Sequence, residues 1–277
     1  MKSKRAYLGR GALNLIGVCI VVFVIQALVR GRVPDIVGMT ILVVALFAAY
    51  LGGVRWIERR QPDELIHRAG PSEFVAGVAL GIGLFATVML ILRNGGVYHA
   101  SGWGSVLPLA AGFLFSLLSA VLEEIIFRGL LFRLFEKATG MWGALALTSI
   151  LFGAAHAANK GATIGSSVAI ALEAGILLGA AYALTGRLWL PIGLHLGWNF
   201  AEGSIFGMAV SGGSQKGSLI TGELHGSNLL TGGVFGPEAS IVAVVVCLTA
   251  AIVILWKKAH AAKVVSQGPA VAAGQHP

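Results

Sequence analysis

The sequence predicts an all-α, polytopic transmembrane bundle of about eight spans, and three observations lead there. Of its 277 residues 56% are hydrophobic and only 12% charged, with a mean hydropathy of +0.84. A soluble domain carries about a quarter charged residues. Uninterrupted apolar runs such as 36–54, 74–92 and 239–256 are each long enough to cross roughly 30 Å of hydrocarbon as a helix. These runs do not alternate apolar with polar residues, as the strands of a membrane barrel would.

The first run, 12–29, follows the basic start Met1–Arg10. A cleaved signal has a shorter apolar core, about 7–15 residues, ending in a small-residue cleavage site. Here the run continues to Gln26 and Arg30, and a retained first span is expected. The remaining spans are placed at 36–54, 74–92, 106–126, 142–158, 164–185, 190–206 and 239–256. Between them, 55–73 mixes both signs of charge with Pro62 and Pro71, an interfacial linker with Trp56 at headgroup level. The segment 207–238 is rich in Gly and Ser and is expected as the one long loop, with a tight turn over Thr231–Glu238. Four regions follow: N-terminal helices over 1–105, a helical core over 106–206, the loop over 207–238, and a last span and polar, disordered tail over 239–277.

Charge sets the orientation. Fifteen of the 20 Lys and Arg residues fall on the side of the N-terminus, which the positive-inside rule makes cytoplasmic together with the C-terminus. Scattered between spans in this way, the net charge of +8 is a topology signal and not a nucleic-acid surface. The partners expected are the lipid bilayer and a membrane-associated protein or peptide. A prokaryotic cell membrane is the default location. Cys19 and Cys247 lie inside spans and form neither a disulfide framework nor a metal-type pair. No cofactor is called for, and the sequence is silent on oligomeric state.

Chemistry is concentrated between residues 119 and 199. A carboxylate at membrane depth costs about 2.5–3.5 kcal/mol on insertion scales, so intramembrane ionisable groups are functional candidates. Glu123 and Glu124 are neighbours and point about 100° apart on a helix, so their roles differ. Glu124 and Arg128 share a face at i,i+4 in the favourable order and are expected as a positioning ion pair. Glu123, on the stripe of Ser116 and Ser119, is the expected reactive carboxylate. A hairpin turning near Thr139-Gly140 places Glu124 and His156 each sixteen residues from the turn, about 24 Å along antiparallel helices. His195 and Asn199 share a face at i,i+4, two donors suited to a developing oxyanion, a contribution of about 2.7–4 kcal/mol per donor where measured. Each group also has a plainer reading, as an interhelical polar bond. Glu173 and Glu202 are weaker candidates, for the cavity lining and for support of Asn199. Asn159 is expected to cap the helix of His156. The pairs Gly77/Gly81, Gly175/Gly179 and Gly193/Gly197 are expected to allow close helix packing.

Glu123-Glu124-Ile-Ile-Phe-Arg128, Phe152-Gly-Ala-Ala-His156 and His195-Leu-Gly-Trp-Asn199 together resemble the CPBP intramembrane glutamic peptidases, relatives of the type II CAAX prenyl endopeptidases. The resemblance covers about residues 106–206; the other spans match only in kind. It implies a membrane-embedded cavity and peptide-bond hydrolysis, and the leading expectation is an intramembrane endopeptidase that cleaves a peptide bond near the cytoplasmic face. On this resemblance Glu123 and His156 activate water, His195 and Asn199 stabilise the oxyanion, and Glu124 and Arg128 orient them. Three alternatives stand beside this reading. One is a zinc-dependent version on Glu123, His156 and His195, although no His-Glu-x-x-His pair is present. Another is a non-catalytic membrane partner, such as an immunity or maturation factor. The third is a transporter, which calls for repeat symmetry that the sequence lacks.

Overall fold

In the computed structural model, which describes residues 2–213 and 217–266, each predicted apolar run is helical over most of its length. Lys216 and the end of the predicted polar tail lie outside the described residues. The chain runs through α1 (Lys2–Val29), α2 (Asp35–Gly52), α3 (Gly70–Asn94), α4 (Leu109–Glu124) and α5 (Arg133–His156). Next come α6 (Ile164–Ile170), α7 (Ile176–Thr185), α8 (Trp189–Phe200), a short α9 (Asn228–Thr231) and α10 (Ile241–Ser266). The basic start is thus the first turns of α1, and α10 carries the chain past Lys263.

Local signals explain the boundaries. Pro71 sits in the first turn of α3, where its missing N–H costs nothing. Thr163 and Ser166 form a reciprocal capping box at α6. Gly186 ends α7 with φ 66°, and Gly140 breaks α5 with φ 82° and ψ 172°, at the predicted hairpin turn. Among the described residues six helical stretches are long and apolar enough to cross a membrane. The 48-residue stretch Leu109–His156 folds at Gly140 into the two predicted legs. The predicted span 190–206 is α8, only 12 residues, with five more in a widened turn, and so falls short by itself.

Four helices pass into π-helical turns: Gly53–Glu58, Ile125–Phe132, Ala171–Gly175 and Ala201–Ile205. Such turns recur at functional sites. Each contains an ionisable residue turned inward, respectively Glu58, Arg128, Glu173 and Glu202.

The tightest seam joins α3 to α8. A Cβ added to Gly77 would lie 2.5 Å from the Leu190 carbonyl oxygen, and one on Gly81 2.2 Å from that of Leu194. Reciprocally, a Cβ added to Gly193 or Gly197 would lie 2.2 or 2.3 Å from the carbonyl oxygen of Phe74 or Val78. Backbone contact this close is available only to glycine, as the small-residue spacing predicts. The outward faces remain apolar: Leu13, Ile16, Ile20 and Phe23 on α1 are all more than half exposed, consistent with a lipid boundary.

The two ends of the bundle differ. At one, Arg133 binds Glu58 at 2.8 Å and the Tyr7 hydroxyl at 3.0 Å, and Lys4 reaches the Ala138 carbonyl at 3.3 Å. Glu64 joins this cluster through Arg60 at 2.8 Å and through the Tyr50 hydroxyl. Burial opposes its ionisation, but hydrogen bonds from Arg60 and the charge of Arg133 prevail and hold its carboxyl below the usual range. At the other end the predicted loop is substantially ordered. Strands β1 (Tyr98–Trp103) and β2 (Ile220–Leu224) pair antiparallel, from Tyr98 opposite Leu224 to Trp103 opposite Ile220, with an irregularity between Ala100 and Gly102. This ribbon departs from the all-helical expectation. Both strands are short and glycine-containing, and they lie in segments too polar to register as apolar runs.

Candidate active site

Glu124 and Arg128 close the last turn of α4 and the π turn after it. Arg128 Nη1 donates to Glu124 Oε1 at 2.8 Å, and neither side chain has solvent exposure. The widened turn rotates the guanidinium toward the π turn that precedes α7, where Nη2 donates to the carbonyls of Ala174 at 3.3 Å and Gly175 at 3.1 Å. It also lies 4.7 Å from the centre of the Phe152 ring. The ion pair expected from spacing is therefore present, and it bolts three helices together.

Glu124 does more than hold Arg128. Its Oε1 also lies 3.0 Å from His195 Nδ1, across from α8. A carboxylate accepts only, so Nδ1 carries the proton, and Nε2 of His195 is the atom left for chemistry.

Glu123 points the other way. Ser119 Oγ donates to its Oε1 at 3.2 Å, while Oε2 lies 3.8 Å from His156 Nε2. His156 is anchored from behind, with Nδ1 2.8 Å from the Phe152 carbonyl oxygen. That bond places a proton on Nδ1 and turns Nε2 toward Glu123. Glu123 Oε2 and His156 Nε2 thus face each other 3.8 Å apart, beyond hydrogen-bond reach.

Phe152 is the shared wall, a role that the motif spacing hinted at without defining. Its ring packs 4.7 Å from the imidazole of His156 and 6.2 Å from that of His195, centre to centre, with Arg128 on it as well. Asn199 lies one turn beyond His195. Together with Ser119, Glu123, His156 and His195 it lines an open cavity whose rim includes Pro108, Lys160 and Ser211. All six predicted site residues thus fall in one region: four line the cavity and the Glu124–Arg128 pair lies behind it.

The weaker candidates divide. Glu173 lines a narrower adjoining cavity, and Glu202 is buried beneath the ordered loop. Asn159 closes α5 with its backbone N–H, which donates to the His156 carbonyl at 3.1 Å. Ser119, Phe152 and Glu238 belong to the surroundings of the site, and of these Glu238 carried no sequence signal. Among the described residues no three His, Cys, Asp or Glu side chains converge closely enough to hold a metal ion, and the zinc arrangement on Glu123, His156 and His195 does not fit this geometry.

Comparison with known proteins supports the same segment. Residues 105–201 match the family model "Type II CAAX prenyl endopeptidase Rce1-like". A curated relative from Bacillus subtilis (strain 168), named "Putative membrane peptidase YdiL", is 33% identical over 84 residues, covering 30% of this chain and 32% of the relative. The chain thus spans about a third of the length of the curated relative it matches. No solved structure matches. All three motifs fall inside the matched residues, and it is this segment that is similar to the Rce1-like type II CAAX prenyl endopeptidases.

Proposed function

We propose that this protein is an intramembrane endopeptidase in which Glu123 and His156 activate a water molecule. The observation that carries the reading is the facing pair, Glu123 Oε2 and His156 Nε2, each fixed from behind. Glu123 takes a proton as the water oxygen attacks the peptide carbonyl, forming a C–O bond. The tetrahedral oxyanion is met by the Asn199 amide and by His195. For His195 to donate from Nε2 while Nδ1–H stays on Glu124, its ring must be the imidazolium, and the adjacent Glu124 carboxylate supplies the countercharge. Collapse of the intermediate breaks the C–N bond, and Glu123 returns its proton to the leaving amine.

The cavity opens at the end of the bundle that carries Lys160 and Ser211, opposite the Arg133–Glu58 cluster. The charge count assigns that end to the non-cytoplasmic side. Cleavage near the cytoplasmic face and cytoplasmic termini are therefore incompatible readings of this geometry, and we adopt the termini and an outward-facing cavity. The substrate class that fits is a membrane-associated protein or peptide whose cleaved bond enters from that side.

The test is a quantitative profile of protein termini in cells expressing the unmodified chain or Glu123→Gln at matched levels. New termini near membrane boundaries, present only with the unmodified chain, are expected. Identical profiles, with full biological activity retained in Glu123→Gln, overturn catalysis and favour a partner-binding role.

A further inference from the structure

One face of α4 leads away from Glu123 and carries small residues. Gly112, Ser116, Ser119 and Glu123 follow at intervals of four, three and four, the spacing of a single helix face. All four line the open cavity that holds His156, His195 and Asn199. Ser204, in the π turn after α8, lines it beside them. A Cβ added to Gly112 would lie 2.0 Å from Ser204 Oγ, so the glycine is what lets this hydroxyl sit against α4.

Small residues alone would mark close packing, but here two hydroxyls lack partners. Ser116 and Ser204 are only 8% and 3% exposed. Elsewhere in the bundle Thr40, Thr87, Thr148 and Thr249 each donate to the carbonyl four residues earlier, the usual outlet for a hydroxyl on an apolar helix. Among the described residues Ser116 and Ser204 make no side-chain hydrogen bond, to that carbonyl or to any other group, and both line the cavity. The cavity measures about 700 Å³, within the range of about 300–1,000 Å³ usual for ligand sites. A hydroxyl both donates and accepts. A helical substrate offers it nothing, because its N–H and C=O groups bond to each other, whereas an extended main chain presents both unpaired at every residue.

Building on the peptidase reading, we infer that this face of α4, together with Ser204, is the subsite for the substrate main chain on one side of the cleaved bond, and that it takes that chain unwound. Gly112 to Glu123 is eleven residues, about 16 Å along the helix axis. At about 3.3 Å per residue, that length holds about five residues of extended chain. The substrate class is therefore a membrane-associated protein with an extended segment beside the cleavage point, not an intact transmembrane helix.

The full chain carrying Glu123→Gln, immobilised in detergent, is offered two randomised ten-residue peptide libraries. One is linear, and the other is held helical by lactam bridges between side chains four residues apart. Retention of the linear library at least about tenfold above the bridged one is expected, the sum of two or more main-chain hydrogen bonds. Adding Ser116→Ala or Ser204→Ala should weaken linear retention about two- to tenfold, the worth of one such bond. Ser116→Leu, which fills the groove, should bring linear retention down to the level of the bridged library. Equal retention of the two libraries, retention of neither, or linear retention undiminished by Ser116→Leu overturns the subsite. The comparison of libraries needs no serine variant, so a misfolded variant does not protect the inference. Cleavage of the same libraries by the unmodified chain reports separately on the peptidase reading. Linear-selective retention without cleavage upholds the subsite and removes the peptidase, and cleavage with equal retention does the reverse.

Discussion

Glu124 makes two contacts with one oxygen: it neutralises Arg128 inside its own helical segment and fixes the ring of His195 on another. Helical spacing disclosed the first contact and is blind to the second, because the partners are 71 residues apart. Removing one member of a buried pair leaves the other uncompensated, a cost of about 3–5 kcal/mol where measured. Arg128→Ala should therefore lower the thermal unfolding midpoint in detergent and abolish turnover. The double variant Glu124→Gln/Arg128→Ala should recover part of the stability and none of the turnover. An unchanged midpoint in Arg128→Ala removes the ion pair from this account. His156 shows the same limit of sequence reading: its motif was plain, but the Phe152 carbonyl that selects its tautomer emerged only from the folded helix.

Among the elements, α8 is the most instructive. Its 12 residues carry His195 and Asn199, and its position is set by glycine contacts with α3. A side chain at Gly81 must displace the backbone of α8 at Leu194 and Trp198, the two residues that precede His195 and Asn199. Overpacking of this kind costs typically 1–3 kcal/mol. Gly81→Leu should therefore destabilise the protein and reduce turnover out of proportion to the loss of folded protein, because His195 and Asn199, the proposed oxyanion donors, move with the helix. Gly83→Ala, where nothing lies within 4 Å of the added methyl, is the matched control and should leave both unchanged. Equal behaviour of the two variants in unfolding and turnover assays shows that the seam does not position the site. The glycine spacing was legible in the sequence. The π turns were not, since a widened turn depends on which buried partner its side chain reaches, as Arg128 reaches Ala174 and Gly175.

At the scale of the whole molecule, the candidate cavity, the β1–β2 ribbon and the ordered stretch after α8 share one end, and the Arg133 cluster holds the other. This polarity turns orientation into a measurement. Ser227, exposed at the cavity end, replaced by cysteine should react with a membrane-impermeant maleimide in intact cells. Protection of Ser227→Cys until the cells are permeabilised reverses the orientation and restores cytoplasmic cleavage. Cys247 is buried and will not compete; Cys19 is exposed in α1, so Cys19→Ser provides a clean background.

The sequence by itself determined the helical membrane class and the hairpin at Gly140, and it singled out the six candidate residues that the fold gathers in one region. Each of these follows from local composition, or from periodicity along one helix. Only the tertiary structure decided that α8 is too short to span alone and that Glu124 belongs to His195 as much as to Arg128. It alone brought Glu238 to Glu202 and to the cavity beside the site, and paired two strands 117 residues apart at their closest starts and ends. Those outcomes rest on contacts between segments distant in the chain, where hydrogen-bond demand and close packing act and no local spacing records the partner.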